Sequence, residues 1–325
     1  MVEFIRGLVE NGIEAFGLRD DAGLVQVPGP GQLVVSVDSV VAGVHVDLSV
    51  CSPGDVGWKA LMGALSDLAA MGAAPLGALI ALCVPKGAGD GEVAVGVMRG
   101  VAEAAGASGC PILGGDVSSS PALVVAVTVL GAVDRPEQPD GDGGTPPGPV
   151  PRSGAEAGDA LLVTGPCGGS AAGLRALRER RERREGRELG RVVDQADDVG
   201  LAYRRPVARL AEGDLARRCG ARAMIDVSDG LALDLHRLAD ASGVGFLLDD
   251  VPVAAGASLD DALGGGEDYE LIVAVAEEDL AGLLERFEAD DLRIPLRIGT
   301  AHADREVRLL GGQALGRMGW QHQLG

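Results

Sequence analysis

The stretch that decides the fold begins with residues 33–38, LVVSVD, a β-branched run that ends in a carboxylate. Residues 53–71 follow with apolar side chains at helical spacing, and residues 76–84, LGALIALCV, form a continuous apolar run. This order predicts a strand, a helix and a buried strand. Residues 92–105 and 122–133 extend the pattern with a second helix and a further strand.

The chain after residue 159 again alternates strands and helices. We expect strands at residues 160–164, 223–227, 245–248 and 269–275, helices from Ser170 into 175–191 and at 206–219, 231–241 and 278–288, and short strands to the end. Residues 134–159, rich in proline and glycine, cannot pack a core. The fold class is therefore α/β or α+β, with domains at 1–140 and 159–325 and a linker at 141–158.

The composition limits the classes of protein that this chain can be. With 28 basic and 48 acidic residues the formal charge is −20, which repels nucleic acid and anionic membrane surfaces. Five cysteines without a CxxC pair suggest neither a disulfide framework nor a zinc knuckle. The N-terminus lacks a signal-peptide pattern and no apolar run approaches about 18 residues, so we expect a soluble, cytoplasmic protein.

Carboxylates gather where predicted strands meet small-residue loops. An acidic cavity of this kind is costly unless a cation fills it. Oxygen ligands without histidine or cysteine suit Mg²⁺, and the set points to phosphoryl transfer from a nucleotide. Taken singly, each Asp is better explained as a turn or helix-cap residue, Asp67 and Asp229 especially. The set is Asp20, Asp21, Asp38, Asp67, Asp116 in an expected loop at Gly114-Gly115-Asp116, Asp226 and Asp229.

The familiar nucleotide-binding signatures are missing. No GxxxxGK[ST] occurs, and Lys59 and Lys86 are the only lysines, which excludes a P-loop. Residues 165–170, GPCGGS, lie between a predicted strand and helix, but no ribose-binding acid follows about 20 residues later. We interpret them as a tight strand-to-helix connection. Residues 175–191 interleave Arg and Glu at helical spacing and predict a solvated helix.

Two interpretations are possible for each of three further residues. Arg152 is either a phosphate contact or a surface arginine of the linker. His45 is by default a structural hydrogen-bonding residue, with an anion contact as the sharper alternative. Glu267 follows a glycine turn at residues 264–266, and the Glu-Asp pair there either belongs to the turn or faces a substrate.

A series of short motifs, each different from the others, runs nearly from end to end of the chain. They are Asp20-Asp21-Ala22, Ser36-Val37-Asp38, Gly43-Val44-His45, residues 65–73 (LSDLAAMGA), Gly114-Gly115-Asp116, Arg152-Ser153-Gly154-Ala155, Val163-Thr164-Gly165, residues 170–174 (SAAGL), Arg205-Pro206, residues 226–231 (DVSDGL), residues 265–271 (GGEDYEL) and Gly319-Trp320. In this combination the chain resembles the thiamine-monophosphate kinases, a family of aminoimidazole ribonucleotide synthetase-like ATP-dependent enzymes. Other relatives share the Gly-Gly-Asp and Asp-Gly loops but not the whole set.

The resemblance implies a fold, an activity and a set of roles. It implies a two-domain α/β (α+β) fold, with an N-terminal mixed-sheet domain that forms a homodimer and a C-terminal α/β domain. It implies transfer of the γ-phosphate of ATP to thiamine monophosphate, which gives thiamine diphosphate. It implies Mg²⁺ ligands at Asp21, Ser36, Asp38, Asp67, Asp116, Asp226 and Asp229, ATP contacts at Gly115, Asp116, Arg152 and Ser228, and acceptor contacts at His45, Glu267 and Trp320.

The chain departs from the family pattern at several positions. Arg19 replaces a glycine and Val37 replaces a threonine, which removes a hydroxyl. Ala64 replaces an asparagine, and Val117 to Ser119 stand where the family has Thr-Thr-Arg. Two alternatives therefore stay open: another ATP-dependent enzyme of the same superfamily, or a nucleotide-binding homologue with impaired catalysis.

Overall fold

The first half of the described chain is a four-stranded sheet with two helices. The computed structural model describes residues 31–87, 90–133, 148–185 and 200–321. In residues 31–133 the helices are α1 (Pro53–Ala70) and α2 (Asp90–Ser108), and the strands are β1 (Gln32–Val41), β2 (Ala74–Pro85), β3 (Ile112–Ser120) and β4 (Val124–Val133). The sheet order is β1-β4-β2-β3, with β2 and β3 parallel and the other neighbours antiparallel.

The second half, residues 148–321, is built on a seven-stranded sheet. Its strands are β5 (Ala160–Val163), β6 (Ala223–Asp226), β7 (Gly245–Leu248), β8 (Leu271–Val275), β9 (Leu296–His302), β10 (Arg308–Leu310) and β11 (Gln313–Ala314). Its described helices are α3 (Gly169–Glu185), α4 (Leu201–Arg204), α5 (Leu210–Arg218), α6 (Leu231–Ser242), α7 (Leu259–Gly264) and α8 (Leu280–Ala289). The sheet order is β11-β10-β7-β9-β5-β8-β6, and only β7 and β10 pair in parallel.

Helix α1 is the element on which both halves pack. Ser52 caps its N-terminus in a capping box with Asp55, and Pro53 occupies the first turn, where its missing N–H costs nothing. Its side chains are buried on nearly every face, so it needs neighbours all around. One side contacts β1 and β4, and another contacts α5 and β6 of the second half.

Glycines let the backbones around α1 come unusually close. A Cβ on Gly100 of α2 would lie 1.8 Å from the carbonyl oxygen of Gly54. A Cβ on Gly213 of α5 would lie 2.0 Å from the carbonyl oxygen of Ala69. Both distances are far below van der Waals contact, so close helix packing explains part of the high glycine content.

Polar contacts join the two halves along α1. The indole nitrogen of Trp58 donates to the carbonyl oxygen of Pro206 at 2.7 Å, and Arg205 pairs with Asp55 at 2.9 Å. The hydroxyl of Ser66 donates to Asp226 at 2.7 Å inside the protein. The halves therefore meet over a packed and hydrogen-bonded junction rather than through a linker alone.

Most of the expected elements are confirmed, and one interpretation is wrong. Residues 114–116 lie within β3 and not in a loop, because β3 pairs in parallel with β2 through them. The helix expected at 206–219 begins only at Leu210, and α4 and α7 were not expected. The solvated helix is confirmed as far as Glu185, with an exposed pair of Glu179 and Arg183 at 2.8 Å.

The domain limits at 140 and 159 stay a prediction, and residues 141–147 of the expected linker lie outside the described residues. Residues 148–158 contact both halves: the N–H of Val150 donates to the Met71 carbonyl at 3.1 Å, and the N–H of Met224 donates to the Pro151 carbonyl at 3.0 Å. None of the helices in the described ranges is both long and apolar enough to cross a membrane.

Candidate active site

A cavity of about 900 Å³ lies between the two halves. Its walls come from the end of β1 and the loop that follows, from α1, and from the loops after β6 and before β8. Eight of the residues singled out in the sequence line it: Asp38, His45, Asp67, Asp226, Ser228, Asp229, Glu267 and Trp320. We call it the central cavity.

Ser36 and Arg152 lie beside the central cavity. The hydroxyl of Ser36 donates to the carboxylate of Asp67 at 2.5 Å, which holds that side chain from β1. Arg152 is exposed, and its positive charge partly opposes the rise that burial causes in the pKa values of Asp67 and Asp226. The carbonyl oxygen of Arg152 accepts a hydrogen bond from Ser242, which fixes the backbone at this point.

The remaining candidates are not brought to the cavity. Gly115 and Asp116 are both exposed on edge strand β3, where Ser118 donates to Asp116 at 2.7 Å. A Cβ on Gly115 would lie 2.0 Å from the Ile80 carbonyl oxygen, so strand packing alone accounts for this glycine. Asp21 lies outside the described residues.

Asp67 and Asp226 are the buried acids of the central cavity. Asp226 ends β6, and its side chain is held by Ser66 from the helix opposite. Burial, and then the charge of Asp67, raises the pKa of Asp226 to about 7. Burial also raises the pKa of Asp67. It is costly to ionise two buried acids side by side, and a cation bound between them would lower the free energy of their ionised forms.

Neither Asp67 nor Asp229 caps a helix, so that alternative is wrong for both. Asp67 lies inside α1, and α6 begins after Gly230 without a side-chain cap. The N–H groups of Asp229 and Gly230 are instead satisfied by the carboxylate of Asp234, at 2.9 and 3.1 Å. Arg237 pairs with Asp229 at 2.5 Å. The Asp229 side chain therefore stays at the cavity wall without a capping role.

The turn before β8 brings Glu267 to the wall of the central cavity. Glu267 and Tyr269 both adopt left-handed backbone conformations, with φ of 56° and 51°. This conformation is costly for residues other than glycine, and hydrogen bonds to the 227–228 loop maintain it: the N–H of Glu267 donates to Ser228 at 2.7 Å, and the N–H of Tyr269 donates to Val227 at 3.0 Å. Burial raises the pKa of the Tyr269 phenol well above its usual range, so it stays protonated.

His45 and Trp320 complete the cavity wall. The backbone N–H of Val41 donates to Nδ1 of His45 at 3.0 Å, so in the neutral ring Nε2 carries the proton. Trp320 is half exposed, and its backbone N–H donates to the carbonyl oxygen of Asp229 at 2.8 Å. The C-terminal segment is thereby tied to the same loop that carries the acidic residues.

The N–H groups of the glycine turn at residues 165–170 are bound by a carboxylate of the chain itself. The carboxylate of Asp268 accepts from the N–H groups of Gly168 and Ser170, at 2.6 and 3.0 Å. Burial raises the pKa of Asp268 to about 6, against these hydrogen bonds, which lower it. An internal carboxylate thus occupies the position that a phosphate would take in a dinucleotide fold, which agrees with the strand-to-helix interpretation.

Two residues of the site were not singled out as such from the sequence. Lys59 pairs with Glu267 at 2.6 Å, and the Tyr203 ring lies under the same ammonium at 3.9 Å. Lys59 is one of two lysines in the chain and lies in the apolar stretch of α1, which is the one sequence signal that could have drawn attention to it, although it does not reveal its role. In the described ranges no three acidic, histidine or cysteine side chains already form a preformed metal cluster.

The fold and the cavity between its halves define the class of protein. The N-terminal domain of the AIR synthase related proteins matches residues 19–133, and their C-terminal domain matches residues 156–311. Together these matches cover the first sheet and all of the second sheet except β11. The mixed α/β architecture expected from the sequence is therefore confirmed.

Similar proteins narrow this class. The thiamine-monophosphate kinase of Synechococcus elongatus is 34% identical over 82% of this chain and 79% of its own length, and that of Bacillus subtilis is 34% identical over 86% and 83%. The crystal structure of the Stenotrophomonas maltophilia thiamine-monophosphate kinase has a TM-score of 0.77 at 30% identity and covers 96% of each chain. The chain belongs to the thiamine-monophosphate kinase family, and it is an enzyme of the kinase class.

Two further solved structures bear on the comparison. AaThiL complexed with AMPPCP and TMP has a TM-score of 0.73 at 27% identity and covers 99% of this chain and 95% of that chain. The hydrogenase maturation protein HypE of E. coli has a TM-score of 0.71 at 20% identity, which shows a shared fold alone.

Proposed function

We propose that this enzyme transfers the γ-phosphate of ATP to thiamine monophosphate in a Mg²⁺-dependent, direct in-line reaction. The observation that carries the proposal is the central cavity, whose lining includes Asp38, Asp67, Asp226 and Asp229 together with His45, Glu267 and Trp320. The kinase relatives and the AaThiL complex with the ATP analogue AMPPCP and with TMP support the substrates. The acidic residues of the cavity suit a divalent cation, and the other residues suit the substrates.

The acidic residues fit a divalent cation. All the donors are oxygens, and Asp226 is buried with a pKa raised by burial and by Asp67. Mg²⁺ uses few protein carboxylates and completes its shell with waters and substrate phosphates, so a preformed chelate is not required. Asp38, Asp67, Asp226 and Asp229 would hold it, with Ser36 orienting Asp67. When bound, Mg²⁺ neutralises charge on the phosphates during transfer.

The residues of the chain then have to position two anions rather than to activate a nucleophile. The acceptor is already a phosphate oxyanion, so no side chain needs to remove a proton from it. The Nε2–H group of His45 is suited to donate to a phosphate oxygen, since Nδ1 is taken by Val41. Arg152 and Ser228 are suited to ATP oxygens, and the Trp320 ring offers an apolar surface to a heterocycle.

We further propose that the enzyme is a homodimer that pairs through the open face of the first sheet. One face of this sheet packs on α1, while the other exposes Leu33, Val35 and Val37 of β1 and Leu79 of β2, which are 45%, 56%, 66% and 40% exposed. An apolar sheet surface of this kind is typical of a protein interface. Asp116 lies on this face, so its proposed ATP and metal contacts depend on the dimer, whereas Gly115, the preceding residue of the strand, lies on the other face.

The departure at Val37 does not weaken the proposal for this cavity. Side chains alternate along β1, and Ser36 and Asp38 point to the α1 side while Val37 lies on the open face. A threonine hydroxyl at position 37 would therefore lie on the open face, and its loss takes no group from the cavity wall. Val37 therefore does not argue for the impaired-homologue alternative, which still rests on Val117 and Ser119, both exposed on β3.

The place of the enzyme in the cytoplasm stays a prediction.

The test is product formation with a panel of acceptors. Purified protein with ATP and Mg²⁺ is offered thiamine monophosphate, thiamine and unrelated monophosphates, and thiamine diphosphate is followed by fluorescence after oxidation. We expect product from thiamine monophosphate alone and none in EDTA. ATP binding by calorimetry without any product would favour the impaired homologue, and product from another acceptor would favour a different enzyme of the superfamily.

A further inference from the structure

A lysine ammonium is completely buried beside the central cavity. Lys59 lies in the middle of α1 and has a relative exposure of 0%. Burying an ammonium without partners costs several kcal/mol, so its contacts have to replace water on every side. The chain has only one other lysine, Lys86, which is exposed at the end of β2.

The three contacts of Lys59 come from both halves of the protein. Its Nζ donates to Oε2 of Glu267 at 2.6 Å and to the carbonyl oxygen of His45 at 3.3 Å. The ring of Tyr203 lies 3.9 Å from Nζ, as in a cation–π contact. The hydroxyl of Tyr203 accepts from the N–H of Asp47 at 3.0 Å, so the loop that carries His45 is held at two points.

One carboxylate oxygen of Glu267 is bound by Lys59, and the side chain is partly exposed at the cavity wall. Its side chain is 26% exposed, and Lys59 is the one partner of its carboxylate among the described residues. Its backbone adopts a left-handed conformation, so the side chain leaves the turn in a fixed direction. The pair therefore sets where the remaining carboxylate oxygen lies.

We propose that Lys59 is a positioning residue for the phosphorylated acceptor. It orients Glu267 and, through the same ammonium, the loop of His45, so that binding of the acceptor depends on Lys59 while binding of ATP does not. This inference rests on the proposed function, which places Glu267 and His45 at thiamine monophosphate. A role limited to joining the two halves would affect both substrates alike.

The experiment compares steady-state kinetics for both substrates. Lys59→Met is expected to raise KM for thiamine monophosphate about 10- to 100-fold, as for a lost hydrogen bond to a charged group, and to leave KM for ATP within about 3-fold. Lys59→Arg restores the charge and is expected to recover most of the acceptor affinity. Lys86→Met, the matched control, is expected to behave as wild type. AMPPCP binding by calorimetry checks that each variant is folded.

A double-mutant cycle separates positioning from folding. Because Lys59 acts in part through Glu267, the loss of acceptor affinity in Lys59→Met combined with Glu267→Gln is expected to be smaller than the sum of the two single losses. The double variant removes both charges of the pair, so it serves as the second variant if Lys59→Met fails the AMPPCP binding check. Additive losses, an unchanged acceptor KM in Lys59→Met, or equal rises in both KM values without rescue by arginine would overturn the inference.

The outcome also separates this inference from the proposed function. If the wild type phosphorylates thiamine monophosphate and Lys59→Met keeps the wild-type acceptor KM, only the role of Lys59 is wrong. If the wild type neither binds nor phosphorylates thiamine monophosphate while it binds AMPPCP, the proposed function is wrong and the role of Lys59 falls with it.

Discussion

Replacing Asp226 with asparagine is expected to stabilise the metal-free protein and to abolish its turnover. Asparagine has nearly the same shape and keeps an oxygen that accepts the hydrogen bond from Ser66, which is 2.7 Å long in the present structure. It removes a carboxylate that is buried next to Asp67. The two effects have opposite signs because the charge is costly for folding and needed for the proposed metal.

The size of the stability gain follows from the pKa of the buried carboxyl. Burial and Asp67 raise the pKa of Asp226 from 3.8 to about 7. The folded protein therefore holds more protons than the unfolded chain between these values, so stability falls as the pH rises from about 4 to about 7. At about 1.4 kcal/mol per unit, the ionised carboxyl costs roughly 4 kcal/mol above pH 7, and roughly 3 kcal/mol of it accumulates above pH 5.

Urea denaturation of the metal-free protein at about pH 5 and about pH 8 measures this directly. The free energy of unfolding of Asp226→Asn, relative to wild type, is expected to rise by roughly 3 kcal/mol between the two conditions. Asp249→Asn, at an exposed position, is the control and should show no such change. Mg²⁺ should stabilise wild type at the higher pH and leave Asp226→Asn unaffected. A difference between Asp226→Asn and wild type that does not change with pH would refute the reasoning.

Three other predictions test separate parts of the site and the fold. Asp67→Asn and Asp229→Asn are each expected to abolish turnover, because each removes a charge from the cavity wall. A near-normal rate of thiamine diphosphate formation in either variant, followed by fluorescence, would exclude that residue from the metal site. Val35→Glu combined with Val37→Glu is expected to give a folded monomer in light scattering, since both side chains lie on the open sheet face; a persistent dimer would place the interface elsewhere. Asp268→Ala is expected to lower the free energy of unfolding by about 1–3 kcal/mol, because it leaves the N–H groups of the 168–170 turn without their acceptor; Asp268→Asn keeps an acceptor and should lose less.

Local patterns were enough to predict most elements, because apolar spacing and helix-start signals act within a few residues. Pro53 and the apolar spacing after it gave α1 to within a residue at either end. The Gly114-Gly115-Asp116 stretch misled, because glycine usually marks a turn, and here it allows β3 to approach β2. A contact between strands that are distant in the sequence cannot be read from the composition of one of them.

The acidic site was predicted as a set, but its geometry was not. We expected strand ends to deliver the carboxylates, yet among the acids in the described part of the chain only Asp226 ends a strand, while Asp38 lies within β1 and Asp67 lies within α1. What brings them together is the packing of α1 against both halves. The roles of Lys59 and of Asp268 depend on partners about 100 residues or more away in the chain, so neighbouring residues gave no sign of them.

The most direct test of the proposed reaction follows the γ-phosphate itself. The enzyme is mixed in a single turnover with ATP labelled at the γ-phosphate, Mg²⁺ and thiamine monophosphate, and the products are separated. Direct transfer predicts that the label appears in thiamine diphosphate as fast as it leaves ATP. Label released as inorganic phosphate while thiamine monophosphate stays unchanged would contradict the assignment of this cavity to a kinase reaction.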